Sequence, residues 1–313
     1  MCLIAFALHA SARRPLVIAA NRDEFFNRPT VPLGRWQTGT GQTLISGRDL
    51  RAGGTWLGLT PGGRCAMLTN VRQAQPTLAA RSRGELVLSW LENEMDADEF
   101  MAQTDSAAYG GFNLVLGDFQ RDRWTWLSNR DGGAGADTEC EVMGAASPRV
   151  VQGFSAVGWH WQDLAPGVYG LSNAGLDTPW PKTLALKAAL TDALQTPDAA
   201  TLESALWGAL ASRHRANAEN LPDTGVALDI EQSLSSAFVE APERGYGTRC
   251  STLLVASAAD TLPHARSWTL RFQEKTHRQW QKEKDKNEVK NSIDLPEEED
   301  FNACELGWYS IKQ

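Results

Sequence analysis

The fold class expected from this sequence is α+β, built on antiparallel sheets, and three features of its order carry that expectation. Short apolar runs come in adjacent pairs, separated by brief polar connections containing Pro or Gly, as hairpins require. Segments of helical character fall in two groups of two, set between groups of strands. Single strands do not alternate with single helices, as they would in a doubly wound parallel sheet.

Taken in order, residues 3–9 and 16–21 are apolar runs around "ASARRP" and predict a first hairpin. Residues 55–60 and 64–71 flank a Pro-Gly-Gly turn and predict a second, with Gly53 and Gly54 marking a bend or close backbone approach just before it. Ser82 and Glu85 have capping-box spacing ahead of a helix in "LVLSWLENEM", and a short helix covers 97–107. Strands follow at 112–118 and 123–129, then a Gly-rich polar loop at 131–139 and a strand at 167–173 that ends in Asn. Pro181 suits the first turn of a helix to about 194, and Asp198 caps another. Two late strands, 248–256 and 265–273, complete the domain, which is expected to span residues 1–273. From 274 to 300, 15 of 27 residues are Asp, Glu, Lys or Arg, so 274–313 reads as a charged tail, solvated or loosely docked.

Composition narrows the function classes. With a net charge of −8 and no basic stripe, the chain lacks the cationic surface that nucleic acid or an anionic membrane requires. No apolar run reaches membrane-spanning length, so no integral membrane segment is expected. Five cysteines without C-x-x-C or His/Cys spacing fit a reducing compartment and offer neither a disulfide framework nor a metal site. The opening "MCLIAFALHASA" has the apolar core and small-x-small end of a signal peptide but no basic amino-terminal region, and a cytoplasmic location is the expectation.

Chemistry concentrates at the first hairpin. Cys2 directly follows the initiator Met and has a small side chain of the type that permits Met removal. Once exposed, its α-amine and thiol have pKa values of about 8 and about 8.5, so nucleophile and base sit on one residue. If the hairpin turns between residues 11 and 13, paired positions sum to roughly 22–26 and Cys2 lies opposite a residue between about 20 and 24, which brings "NRDE" beside it. Asp23 is then placed to hold the α-amine, and Arg22 to lower the thiol pKa or bind an acidic substrate group. Asn70 and Asn173 end strand-like segments, and an Asn amide donates to an oxyanion without titrating. Arg249 opens a late strand as a candidate second cation. The bland alternatives are a small apolar residue opening a strand, turn Asn residues and a strand-end Arg.

The segments "MCLIAFA", "PLVIAANRDEFFNRPT", "ISGRDLRAGGTWLGLT", "LTNVR", "SRGELV", "GFNLVLGD", "GVYGLSNAGLDTPWPK", "LPDTGV" and "YGTRCSTLLV" resemble the NRDE family, also called the Transport and Golgi organisation 2 family. The resemblance runs from Met1 to about Ser257 and implies an N-terminal-nucleophile hydrolase-like fold, a four-layer αββα sandwich of two antiparallel sheets. That fold is similar to the choloylglycine hydrolase and penicillin V acylase group, which implies site counterparts at Cys2, Arg22, Asp23, Asn70, Asn173 and Arg249. Cys250 stands where the family pattern leads one to expect Ser, and the tail from about Glu274 matches nothing in it.

Two functions are compatible with these residues. One is an amidohydrolase or acyltransferase acting on a non-peptide C–N amide through a Cys2 thioester, requiring no cofactor. The other, implied by the family's connection with haem trafficking and lipid or acyl-CoA homeostasis, is a non-catalytic carrier of an amphipathic ligand. In that reading haem is a candidate ligand and Cys2 one of its donors. In both readings the partner is a small molecule.

Overall fold

A computed structural model of the protein describes residues 2–74, 79–130, 158–258, 268–277 and 302–304. The expected loop at 131–139, the processing of Met1 and most of the charged tail lie outside these residues.

The first hairpin forms as expected from β1 (Cys2–Leu8) and β2 (Leu16–Phe25). All of β1 is buried, and β2 is buried through Asp23, because both faces of this hairpin are covered. Its even-numbered residues from Cys2 to Ala20 pack into a core between two sheets. Its odd-numbered residues from Leu3 to Ala19 pack against α3 (Pro181–Ala193) and α4 (Ala199–Leu210). Around the hairpin the first sheet is completed by β10 (Gly167–Leu171), β11 (Glu240–Ala241), β12 (Tyr246–Ala258), β13 (Trp268–Thr276) and β14 (Asn302–Cys304). Its order is β10-β1-β2-β12-β13-β14, with β11 on β12.

The second sheet is a meander in chain order. It runs through β3 (Thr30–Gln37), β4 (Thr43–Asp49), β5 (Leu57–Leu59), β6 (Arg64–Asn70), β7 (Phe112–Asp118), β8 (Arg123–Ser128) and β9 (His160–Asp163). Every pairing in both sheets is antiparallel. Its outer face packs on α1 (Gly84–Glu92) and α2 (Ala97–Gln103) through Leu86, Val87, Trp90, Leu91, Phe100 and Met101. The layers are therefore helix, sheet, sheet, helix, and the short α5 (Leu228–Ser233) lies beside Tyr246 and Val239. No helix among the described residues is long and apolar enough to cross a membrane.

Several local expectations change. The Ser82 box is half made: the Glu85 carboxylate accepts from the Ser82 N–H at 3.2 Å, but α1 begins after Arg83 without a side-chain cap. The complete box stands one helix later, where Asp96 and Glu99 cap α2 reciprocally. Asp198 does cap α4, accepting from the Thr201 N–H at 2.6 Å.

The boundary expected at 273 falls inside β13, which runs on to Thr276 and pairs with β14. Glu274 is 5 % exposed because it shares the inward face of Leu270 and Phe272, and its carboxylate accepts from the Leu33 N–H at 3.0 Å. Its charge marks it as solvent-facing in a composition reading, whereas strand alternation turns it inward.

Candidate active site

The hairpin register decides what surrounds Cys2. Cys2 is the direct partner of Arg22 across β1 and β2, so both side chains stand on the face between the sheets. The β1–β10 ladder pairs Ile4 with Leu171, and two further residues in that register set Asn173 across from Cys2 on the other side. Ser172 fastens this edge by donating from Oγ to the Cys2 carbonyl at 3.3 Å. The end of β6 arrives from the second sheet: Asn173 Nδ2 donates to the Asn70 carbonyl at 2.8 Å, and the Arg72 N–H donates to the Asn173 carbonyl at 2.7 Å. Cys2, Arg22, Asn70 and Asn173 are thereby drawn together where the two sheets meet.

A cavity of about 470 Å³ opens there, with Cys2, Arg22, Asp23, Glu24 and Asn70 in its wall. Asn173, 1 % exposed, lies behind this wall. Burial pushes the Cys2 thiol pKa up, with Asp23 adding to the effect and Arg22 opposing it. Arg22 lies 3.9 Å from Glu24 and 4.0 Å from Asp49, a spacing that leaves its charge shared rather than locked in one pair.

Asp23 sits one residue along β2 and so belongs to the opposite, helix-facing side of the strand. Its carboxylate accepts from Thr248 Oγ1 at 2.7 Å, and Thr248 in turn accepts from the Val239 N–H at 2.8 Å. Burial raises the Asp23 pKa, and Lys182 is the strongest influence against that rise. Lys182, in the first turn of α3, is 4 % exposed and donates to the Leu234 carbonyl at 2.9 Å. Burial pulls its pKa down to about 8, while Asp23 holds it up. Arg72 adds a second buried cation to this group, ion-paired with Glu231 and stacked 4.8 Å from the Trp180 ring. Glu231 also accepts from the Thr224 N–H at 3.3 Å.

Arg249 stands apart from the Cys2 cavity. The pairing of β12 with β2 slips between Thr248 and Cys250, and Arg249 is the extra residue of that bulge. A bulge re-aims its side chain. The Arg249 guanidinium donates from Nη1 to the carbonyls of Phe25, Phe26 and Arg28 at 2.8, 3.0 and 3.2 Å, clamping the turn after β2. It lines two neighbouring cavities, one of them shared with Arg22.

Residue-by-residue reading missed Lys182, Arg72, Glu231 and Arg83. "LTNVR", "TPWPK" and "SRGELV" contain three of them, but no spacing in the chain links those segments to Cys2. Arg83 reaches the cavity because two backbones nearly touch. A Cβ on Gly54 would come within 2.5 Å of the Gly84 carbonyl carbon, so glycine there lets α1 seat its first residues against the wall. Gly54→Ala is expected to destabilise the protein by about 1–3 kcal/mol, because the obstruction is backbone. Denaturant midpoints measure this directly, and an unchanged midpoint would refute the contact.

Comparisons with known proteins find relatives over most of the chain. The family model for Transport and Golgi organisation 2 matches residues 1–266. The mouse Transport and Golgi organization 2 homolog is 32 % identical over 273 residues, covering 82 % of this chain and 89 % of its own. The Drosophila melanogaster Transport and Golgi organization protein 2 is 24 % identical over 280 residues, covering 84 % and 90 %. Among solved structures, a Caenorhabditis elegans N-acylethanolamine-hydrolyzing acid amidase ortholog aligns with TM-score 0.41 and 11 % identity, covering 81 % of this chain and 92 % of its own. The C2A mutant of a conjugated bile acid hydrolase from Clostridium perfringens aligns with TM-score 0.39 and 10 % identity, covering 88 % and 89 %. On the family model and the curated relatives, the chain belongs to the Transport and Golgi organisation 2 family.

Proposed function

We propose that the protein is an amidohydrolase or acyltransferase that takes a non-peptide C–N amide through a thioester on Cys2. The observation that carries this reading is the placing of Cys2 beside Arg22 in the wall of a cavity of about 470 Å³, with Asn70 from the facing sheet. A buried thiol whose pKa is pushed up is a poor nucleophile until a base takes its proton. The α-amine that Met1 removal exposes on Cys2 is that base.

In the proposed reaction Sγ bonds to the acyl carbon while its proton passes to the amine. The tetrahedral oxyanion takes hydrogen bonds from Asn70, the candidate donor that faces the cavity. The amine then protonates the leaving nitrogen, the C–N bond breaks and the thioester remains. Attack by water releases the acid, and attack by a second amine yields a new amide.

The test is intact-mass and peptide analysis after exposure to a panel of N-acyl substrates. A chain beginning at Cys2 and carrying the acyl mass on that residue is the expected result. Turnover by protein that retains Met1, or turnover without Cys2 acylation, would overturn the mechanism. Neither turnover nor adduct across the panel would leave the cavity to a binding role.

A further inference from the structure

We propose that Arg83 makes the Cys2 cavity a receptor for a carboxylate, so that the amide accepted there carries an anionic carboxylate within reach of the thiol. The inference deepens the acyl-transfer reading and rests on it for the word amide, though not for the anion site itself.

The charge lining the cavity is opposite to that of the protein. The chain has a net charge of −8, yet the wall holds Arg22, Arg28, Arg48, Arg51, Arg81 and Arg83. Its carboxylates, Asp23, Glu24 and Asp49, are largely engaged. Arg28 lies 2.5 Å from Asp49 and 3.7 Å from Glu24, Arg22 shares the same two, and Asp23 is turned towards Lys182 and Thr248. Arg81 pairs with Glu85 at 2.9 Å, and Arg48 stacks on Trp36 at 4.6 Å. Arg51 is exposed.

Arg83 differs from all of these. It is half-buried, and its one recorded partner among the described residues is the Gly111 carbonyl, to which Nη1 donates at 3.0 Å. That leaves the Nε–H and Nη2–H edge of the guanidinium for a second acceptor. Two parallel N–H groups match the two oxygens of a carboxylate, and the pairing strengthens where water is partly excluded. Burial lowers the Arg83 pKa, and the groups that oppose the fall are Cys2 and Glu24, which places the guanidinium in the electrostatic reach of the thiol. A half-buried guanidinium held, among the described residues, by a carbonyl alone is a site prepared for an anion.

Alkylation of Cys2 tests this without assuming any catalysis. Iodoacetate and iodoacetamide both react by forming an S–C bond as iodide leaves, and they differ in whether the reagent carries a carboxylate. Because the same thiolate attacks both, a change in the Cys2 pKa cancels in the ratio of their rates. In full-length protein, with modification at Cys2 read by peptide mass spectrometry, the iodoacetate-to-iodoacetamide ratio should exceed that of free cysteine about tenfold. Arg83→Gln should return the ratio to within about twofold of free cysteine while the circular dichroism stays near wild type. Arg83→Lys, which keeps charge without the fork, should fall between.

A wild-type ratio equal to that of free cysteine, or a ratio unmoved by Arg83→Gln, would overturn the proposal. The two readings fail separately. A retained alkylation preference with no acylation by any N-acyl substrate would sink the reaction and keep the anion site. Equal acylation by N-acylglycine and the matched neutral N-acylethanolamine would sink the anion site and keep the reaction.

Discussion

Cys2→Ala is expected to lower turnover of an accepted N-acyl substrate by on the order of a thousandfold or more while leaving its binding nearly intact. The substitution removes a single heavy atom from a residue that is 7 % exposed, so the hairpin and its pairing with Arg22 should persist at a stability cost of about 1 kcal/mol. Single-turnover kinetics with a denaturation midpoint on the same preparation separates lost chemistry from lost fold. Turnover within tenfold of wild type would show that the cavity's reaction does not pass through this thiol. Burial also sets the pH profile of the wild-type thiol. With its pKa held above the ordinary value, iodoacetamide labelling of Cys2 should keep rising past about pH 9, where an exposed cysteine has begun to level off.

The hairpin carrying this residue was legible because it depends on chain-local facts. Two apolar runs and a short connection set the register, and Cys2 falls opposite Arg22, within the expected 20–24. The strands β3 and β4 were not visible in the same way. In β3, Pro32 and Gly34 interrupt the run, and a shift between Val31 and Gly34 breaks the alternation that marks a strand. Glu274 misled for the opposite reason, since composition counts a charge that strand geometry buries.

Arg249 shows the limit for the site. A bulge adds one residue to β12 and redirects that guanidinium to the turn carbonyls, and nothing in "YGTRCST" announces an extra residue. Lys182 and Glu231 were out of reach for another reason. Their relation to Asp23 exists only after α3 and α5 pack behind the first sheet, across separations of more than a hundred residues.

Those buried charges make the second large prediction. Arg72→Met is expected to lower stability by about 3–5 kcal/mol, because it leaves the buried Glu231 carboxyl without its guanidinium. A domain with a total of about 5–15 kcal/mol would lose a large fraction of its margin, visible as a sharp fall in the denaturant midpoint. The double variant Arg72→Met with Glu231→Leu should regain most of the loss, since it removes both desolvated charges together. A double variant no better than the single would mean that the pair is not the source.

The pH dependence of Lys182 supplies an independent check on the same cluster. Its folded pKa of about 8 lies below the ordinary 10.5, so between those values the unfolded chain binds more protons than the folded one. Stability from this group is therefore fully present above pH 10.5 and is lost as pH falls through 8, a change of about 3 kcal/mol. At neutral pH Lys182 is held charged against its burial, and burial likewise works against the charged form of Asp23. Lys182→Met should erase the rise in unfolding free energy between pH 8 and 10.5 that wild type shows relative to it. If the variant also shifts the pH profile of Cys2 alkylation, the cluster behind Asp23 acts on the nucleophile as well as on the fold. If that profile is unmoved while the stability slope disappears, its role ends at holding β2 against α3.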